Sequence, residues 1–358
     1  MINNKLKLFS TCLLVIGACR CAIYDIGREK YYLIPSGLAH ILKYSQGKTL
    51  KHIIKKYHSN RSTILEYFEF LTENELIFWT ENVNEFPKLD VLWDDSSKIT
   101  NAIIDISQYN IDYGSIVKGL ENLGCRDIQI RFFEKICIQN FKKLLGNFDG
   151  TKFISVEVIA PFSEEILHHF TNGSFDRVSL LVLSQAKKNE EIIMKNNYTK
   201  VYLAEQCISD VRGCGVISKN YFSINIPTFT ESQQHNTCLN RKISIDKDGY
   251  IKNCPSMAHH FGHISDTKLE DVIANPEFTK YWYIKKDEIT KCKDCEFRHI
   301  CTDCRAYREN PDDLYSAPLK CGYDPYTGVW EEWSTNPLKQ QAIEHYGMKD
   351  LVQKETQA

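Results

Sequence analysis

The chain has 358 residues, 43% hydrophobic and 25% charged, the balance of a folded globular protein with room for two or three domains. Its 44 Lys and Arg against 46 Asp and Glu leave a formal charge of −2, so no basic surface points to nucleic acid. No apolar run is long enough to span a bilayer, and fourteen cysteines suit a reducing, cytoplasmic compartment and metal rather than disulfides.

Residues 1–85 read as a small α+β module. Residues 5–19 have a basic start, an apolar run and small residues before Cys19, the outline of a short export signal. Strand-like residues continue through Cys21–Ile26, however, and a turn at 27–30 leads to a second strand at Tyr31–Ile34, so a hairpin is expected. Ser36 is expected to cap a helix to Tyr44, broken at Gly47. Helical spacing recurs at Leu50, Ile53, Ile54 and Tyr57, and again at Ile64, Tyr67, Phe68 and Leu71; Leu76–Trp79 would be a closing strand. Residues 86–98 are polar, contain Pro87 and read as a linker.

Residues 99–232 alternate between strand and helix patterns. Strands are expected at Ile99–Ser107, Asp127–Phe133, Phe153–Ala160, Val178–Leu183, Lys200–Glu205 and Tyr221–Ile226. Helices are expected between most of them, at Tyr113–Leu123, Gln139–Leu145 and Ser163–Phe170. That alternation implies parallel βαβ units, in an open α/β barrel or a doubly wound sheet. No strand is followed by a Gly-rich phosphate loop.

Residues 233–335 carry seven cysteines in a spaced array. Cys238-x10-Gly249-x4-Cys254 comes first, then the Cys-x2-Cys-x5-Cys-x2-Cys run of Cys292, Cys295, Cys301 and Cys304, then Cys321. Short Cys-x2-Cys spacings let two thiolates reach one metal centre from a tight turn. Iron–sulfur ligation uses all seven. A single zinc on Cys292, Cys295, Cys301 and Cys304 would leave three idle, and a disulfide framework suits a short secreted chain better. A hairpin is expected over Arg241–Lys252, turning at Asp246–Gly249 and placing Cys238 and Cys254 on adjoining strand ends. A helix is expected from Leu269 to Ile273, capped by Asp266 or Thr267. His259, His260 and His263 lie near Cys254 and read as turn residues rather than ligands or acid–base groups. Cys12, Cys125 and Cys137 sit among apolar residues and are expected to be buried and inert. The tail, 336–358, reads as a polar surface helix.

This array resembles a SPASM domain, the auxiliary-cluster domain of many radical-SAM peptide-modifying enzymes. The family pattern is Cys-x(9–15)-Gly-x4-Cys, a four-cysteine run and a final Cys; the departure is a last gap of x2 in the run where the family usually has x3. Tyr31–Pro35, Glu75–Trp79, Ile99–Ala102, Cys304–Tyr307 and Cys321–Tyr326 also resemble the SPASM-domain maturase of grasp-with-spasm systems. In those systems an ATP-grasp ligase and a short precursor peptide accompany the maturase. The resemblance implies an α/β fold: a degenerate partial (β/α) barrel of the radical-SAM type, an N-terminal PqqD-like peptide-recognition module and a C-terminal SPASM domain.

It also implies two 4Fe–4S clusters, with Cys238, Cys254 and Cys304 on the first and Cys292, Cys295, Cys301 and Cys321 on the second. The first then lacks a fourth ligand, which Cys214, Cys207, a peptide thiolate or water could supply. A radical-SAM core needs Cys-x3-Cys-x2-Cys after its first strand, to hold the cluster that binds S-adenosylmethionine. Here Ser107–Gly114 holds no cysteine, and that motif occurs nowhere in the chain. No S-adenosylmethionine chemistry is therefore expected. Three functions are open: a cluster-bearing maturation factor with precursor peptide and ATP-grasp ligase as partners, a non-catalytic scaffold in which metal serves folding, and an independent enzyme.

Overall fold

A computed structural model describes residues 3–107, 111–173, 177–194 and 198–355. Residues 5–80 form the expected α+β module. Its strands are β1 (Lys5–Leu8), β2 (Cys12–Ile16), β3 (Cys21–Asp25) and β4 (Lys30–Ile34). Helices α1 (Ser36–Ser45), α2 (Leu50–Lys56) and α3 (Arg61–Glu73) follow, then β5 (Ile77–Thr80). β2, β3 and β4 make an antiparallel sheet with β2 and β4 at its edges, while β1 pairs β5. The hairpin is therefore three strands, because residues 17–20 turn the chain once before β3. Pro35, not Ser36, precedes the first turn of α1, and it offers no side-chain cap. Gly47 has φ +73°, the left-handed geometry that ends the helical stretch.

The strands of the central region are β6 (Asn101–Ile106), β7 (Asp127–Phe132), β8 (Ser155–Pro161), β9 (Val178–Ser184), β10 (Glu190–Ile192) and β11 (Lys200–Ala204). Helices α4 (Tyr113–Asn122), α5 (Ile138–Leu145) and α6 (Glu164–Asn172) connect β6 to β7, β7 to β8 and β8 to β9. Between β9 and β11 the chain makes β10, antiparallel to β11. One expectation fails here. Residues 221–226 are not a strand: a helical turn at Lys219–Tyr221 leads to α7 (Ile226–Ser232). The Asn225 side chain accepts the Thr228 N–H, and Pro227 lies in the first turn, where a missing N–H costs nothing.

The strand that takes its place comes from the cysteine-rich segment. β12 (Lys242–Ile245) pairs in parallel with β6, and β13 (Ile251–Lys252) returns antiparallel to β12. Among the described residues this gives an eight-stranded, mostly parallel sheet in the order β10-β11-β9-β8-β7-β6-β12-β13.

Alternation along the strands makes its two faces unlike. Ile104, Ile106, Ile130, Phe132, Val158 and Leu181 pack beneath α4, α5 and α6 in one buried apolar layer. The opposite face carries Asp105, whose carboxylate accepts two hydrogen bonds from Arg131 at 2.7 and 2.9 Å, and Gln129, which donates to Glu157 at 3.0 Å.

Beyond β13 lie α8 (Leu269–Ala274), α9 (Pro276–Thr279) and the small hairpin β14 (Tyr323–Asp324) and β15 (Val329–Trp330). Lys268, rather than Asp266 or Thr267, precedes α8, again without a side-chain cap. The tail forms α10 (Gln340–His345) and α11 (Lys349–Glu355). It is not purely a surface element: Ala342, Ile343 and Met348 are buried beside Leu319 and Tyr307. Among the described residues no helix is long and apolar enough to cross a membrane.

Candidate metal centre

The seven array cysteines separate into two places. Cys238, Cys254 and Cys304 pack in one cluster with Leu239, Met257, Tyr307 and Leu319. Cys295, Cys301 and Cys321 pack in another with Phe297, Ile300 and Tyr323. Cys292 lies among Ile284 and Ile289, within electrostatic reach of Cys301 and Cys321. The run of four is thus divided. Cys304 keeps company with Cys238 and Cys254, so the four thiols of the run do not surround one point.

An eighth cysteine joins the first group. The thiols near enough to push Cys304 upward in pKa, after burial itself, are Cys238, Cys254 and Cys214. Cys214 likewise acts on Cys254 and on Cys238. It reaches them on a tightly held turn. Asp210 accepts the Arg212 N–H at 2.7 Å, and the Lys320 ammonium donates to the Cys214 carbonyl at 3.0 Å. Ile217 bridges to Cys321 in parallel, tying this turn to the other group. Gly215, at φ +84°, lets the turn approach: a β-carbon there would stand 2.9 Å from the Cys304 sulfur. Cys207 is exposed.

Gly249 has a comparable reason. It sits at φ +87° in the turn between β12 and β13, and a β-carbon would meet His263 Nε2 at 2.3 Å. His263 holds that turn, with Nε2 2.9 Å from the Asp248 carbonyl and Nδ1 2.8 Å from the Ser265 hydroxyl. His259 and His260 lie at the surface, while His263 bridges to Tyr250 and braces the turn.

In the second group, Cys292–Asp294 form one helical turn that brings the Cys295 N–H to the Cys292 carbonyl at 3.0 Å. The Phe297 N–H points at the Cys295 sulfur at 3.4 Å. Cys292 and Cys301 are buried, and Cys295 and Cys321 are half-buried.

Burial dominates the electrostatics of these thiols. It pushes Cys254 up to about 11 and Cys292 up to about 12, with neighbouring thiols adding to it. Cys238, Cys295, Cys304 and Cys321 also lie above the ordinary thiol range, burial first. Thiols of this kind keep their protons unless a metal replaces them. Each group also contains a lysine. Lys286 Nζ lies 3.1 Å from the Cys301 sulfur, and Lys242 Nζ lies 3.6 Å from the Cys238 sulfur. The first group faces the polar side of the sheet, where Arg131 lies within electrostatic reach of Cys214 and Cys254.

Eight thiols in two foursomes, with cations beside them and glycine where a thiol needs room, form a donor set that fits two all-cysteine clusters. Among the described residues no three His, Cys, Asp or Glu side chains are arranged to hold a single ion. Of the cysteines expected to be inert, Cys12 and Cys125 are buried, and burial pushes both to about 12. Cys137 is exposed instead. It is the extended residue before α5, whose backbone turns Ile136 inward and the thiol outward.

Residues 237–296 match the family model of SPASM, an iron-sulfur cluster-binding domain. Two crystal structures of SuiB from Streptococcus suis are similar in outline. The one bound to S-adenosylmethionine is 10% identical, covers 87% of this chain and 98% of its own, and has a TM-score of 0.34. The one bound to precursor peptide SuiA is 10% identical, covers 84% and 96%, and has a TM-score of 0.31. At those scores the likeness carries no argument about this chain. No curated protein matches it.

The N-terminal module is joined to the second group. The turn between β2 and β3 inserts beside residues 294–298: the Ala18 N–H donates to the Asp294 carbonyl at 2.8 Å, and Arg298 donates to the Ile16 carbonyl at 2.8 Å. Arg20 pairs with the fully buried Glu296 at 2.6 Å, which also accepts from the Tyr323 hydroxyl, and the Tyr24 hydroxyl donates to the Glu296 carbonyl. Glu296 directly follows Cys295. The sequence offers Cys214 as only one of several candidates for the fourth place and does not show this junction, because both depend on residues far apart in the chain.

Proposed function

We propose that this chain is a cluster-bearing peptide-maturation protein that works in a reducing, cytoplasmic setting. Cys214, Cys238, Cys254 and Cys304 would ligate one 4Fe–4S cluster, and Cys292, Cys295, Cys301 and Cys321 the other. The observation that carries this reading is the partition of eight thiols into two foursomes; the match of residues 237–296 to an iron–sulfur cluster-binding domain supports it. The clusters would supply electron transfer or a Lewis-acidic iron, while the chain's own residues hold, shield and charge-compensate them.

The module at residues 1–85 would recognise a short precursor peptide. The edges of its three-stranded sheet offer backbone groups for an added strand, with side-chain pockets giving specificity. An ATP-grasp ligase is the proposed partner, acting on the same peptide. The sheet of residues 101–252 would be a radical-SAM-type barrel that has lost its reactive centre, since the three-cysteine motif is missing after β6. Part of that segment, residues 108–110, lies outside the described residues.

Anaerobic purification with metal and sulfide counting tests the proposal. The expected result is about eight irons and about eight acid-labile sulfides per chain, with no 5′-deoxyadenosine formed from S-adenosylmethionine after reduction. About two zinc ions and no sulfide would overturn it in favour of a scaffold with structural metal.

A further inference from the structure

The two lysines beside the thiols have an unusual place. Lys286 is only 6% exposed, and its ammonium lies 3.1 Å from the Cys301 sulfur. A buried ammonium is costly unless a counter-charge meets it. The nearest carboxylate in its electrostatic surroundings is Asp303, and that group is already engaged. One Asp303 oxygen accepts from Arg305 at 2.8 Å and the other from the Asn236 amide at 2.6 Å. What Lys286 donates to is a sulfur. That sulfur is a counter-ion only as a thiolate, the form in which cysteine binds metal.

Lys242 repeats the arrangement at the other foursome. It leaves the first residue of β12 on the polar face of the sheet, and its ammonium lies 3.6 Å from the Cys238 sulfur. Glu231, a carboxylate within electrostatic reach of Lys242, accepts from the Asn240 amide at 2.9 Å. The two lysines come from unrelated places, one on a strand and one on a helical turn at Lys286–Glu288. Each foursome nevertheless receives one ammonium, directed at one sulfur.

We infer that Lys286 and Lys242 each set the reduction potential of one cluster, by placing a cation and a hydrogen bond on a ligating sulfur. A cluster held by four thiolates is a net anion and becomes more so on reduction. A fixed cation and an N–H···S bond therefore favour the reduced form, and net charge and hydrogen bonds to sulfur are established determinants of such potentials. Lys286 is closer and more deeply buried than Lys242, and low-dielectric surroundings screen it less. Its effect on the cluster of Cys301 should be the larger of the two.

This inference rests on the iron–sulfur reading above, and one redox titration separates their failures. The anaerobically purified full chain and its Lys286→Met, Lys286→Arg and Lys242→Met variants are titrated under EPR, with iron and sulfide counted in each. Lys286→Met should lower the potential of one cluster by at least a tenfold change in its reduction equilibrium, 59 mV for a one-electron couple, and leave the other in place. Lys242→Met should lower the other potential by less. Lys286→Arg, which keeps the charge, should stay within that tenfold of the parent.

Should Lys286→Met shed its cluster while Lys286→Arg keeps it near the parent potential, the charge requirement is upheld. Loss of the cluster from both variants overturns the inference, because it marks a packing role. Unchanged potentials in fully loaded Met variants overturn it alone. A parent protein with no acid-labile sulfide overturns the iron–sulfur reading and this inference together.

Discussion

The layer beneath β6–β9 and the cysteine-rich segment solve the problem of burial differently. The first is a single apolar cluster running from Ile99 to Trp282, filled by branched and aromatic side chains. The second divides its apolar contacts among smaller clusters and buries Lys286, Glu296, Asp303, Arg305, Lys320 and Lys339 besides its thiols. A hydrocarbon layer stabilises itself in proportion to the area it removes from water. A segment rich in buried ions depends on every one being met, and thiols are met best by metal. The difference teaches that the two regions, although they share one sheet, should respond to different insults.

Metal removal gives the largest contrast. Treating the purified protein with a chelator under reducing conditions should abolish slow amide exchange over residues 290–325. Residues 101–204 should stay protected. Hydrogen-exchange mass spectrometry reads both at once, and simultaneous loss in the two regions would break the comparison.

The converse insult is a cavity. Phe141 is fully buried and packs on Phe132 and Phe170, with ring centroids 5.7 and 6.0 Å away. Phe141→Ala should cost about 3–5 kcal/mol in denaturant unfolding of the sheet. Metal content per folded chain should not change; a fall in metal would show that the regions are not energetically separate.

The smallest effect sharpens the seam between them. Burial holds His235 below the usual histidine range, with its ring against Trp93 at 5.1 Å and Tyr283 at 5.4 Å. The unfolded chain binds the proton more readily than the folded one. The stability from keeping this ring neutral is therefore complete above about pH 6.5 and falls as pH drops toward the folded value. Thermal unfolding at about pH 7.5 and about pH 5.5 should show that loss. His235→Gln should flatten it, and an equal slope in the variant would remove His235 from the account.

What the sequence conveys follows the same division. β6, β7, β8, β9 and β11 are legible because each sets branched or aromatic apolar residues at alternate or successive positions, the pattern of a strand with a buried face. β12 is only four residues long and comes after an irregular stretch, so nothing local tells that it pairs with β6. The array of seven cysteines is legible from spacing, since ligands close in sequence need only a tight turn. Cys214 has no such spacing. Its turn is shaped locally by Asp210, but its place beside the other thiols is made by Lys320 and the contact of Ile217 with Cys321, which are not local signals. The nearest hint is Gly213 and Gly215 on either side of it, a pair that permits close approach without naming the neighbour.

The parallel pairing of β6 with β12 also has a meaning in time. Lys242 meets Asn101 across 141 residues, and all of them leave the ribosome before that partner is available. Until then β6 presents an unpaired backbone edge, the kind that pairs with other chains. The N-terminal strands can gather while synthesis continues, but the sheet cannot cover that edge from its own sequence until residue 245 has emerged. Such long-range closure is intrinsically slow. Nascent chains halted before β12 should thus be the species most prone to aggregate, and the cysteine-rich segment begins its work as the cover of that edge.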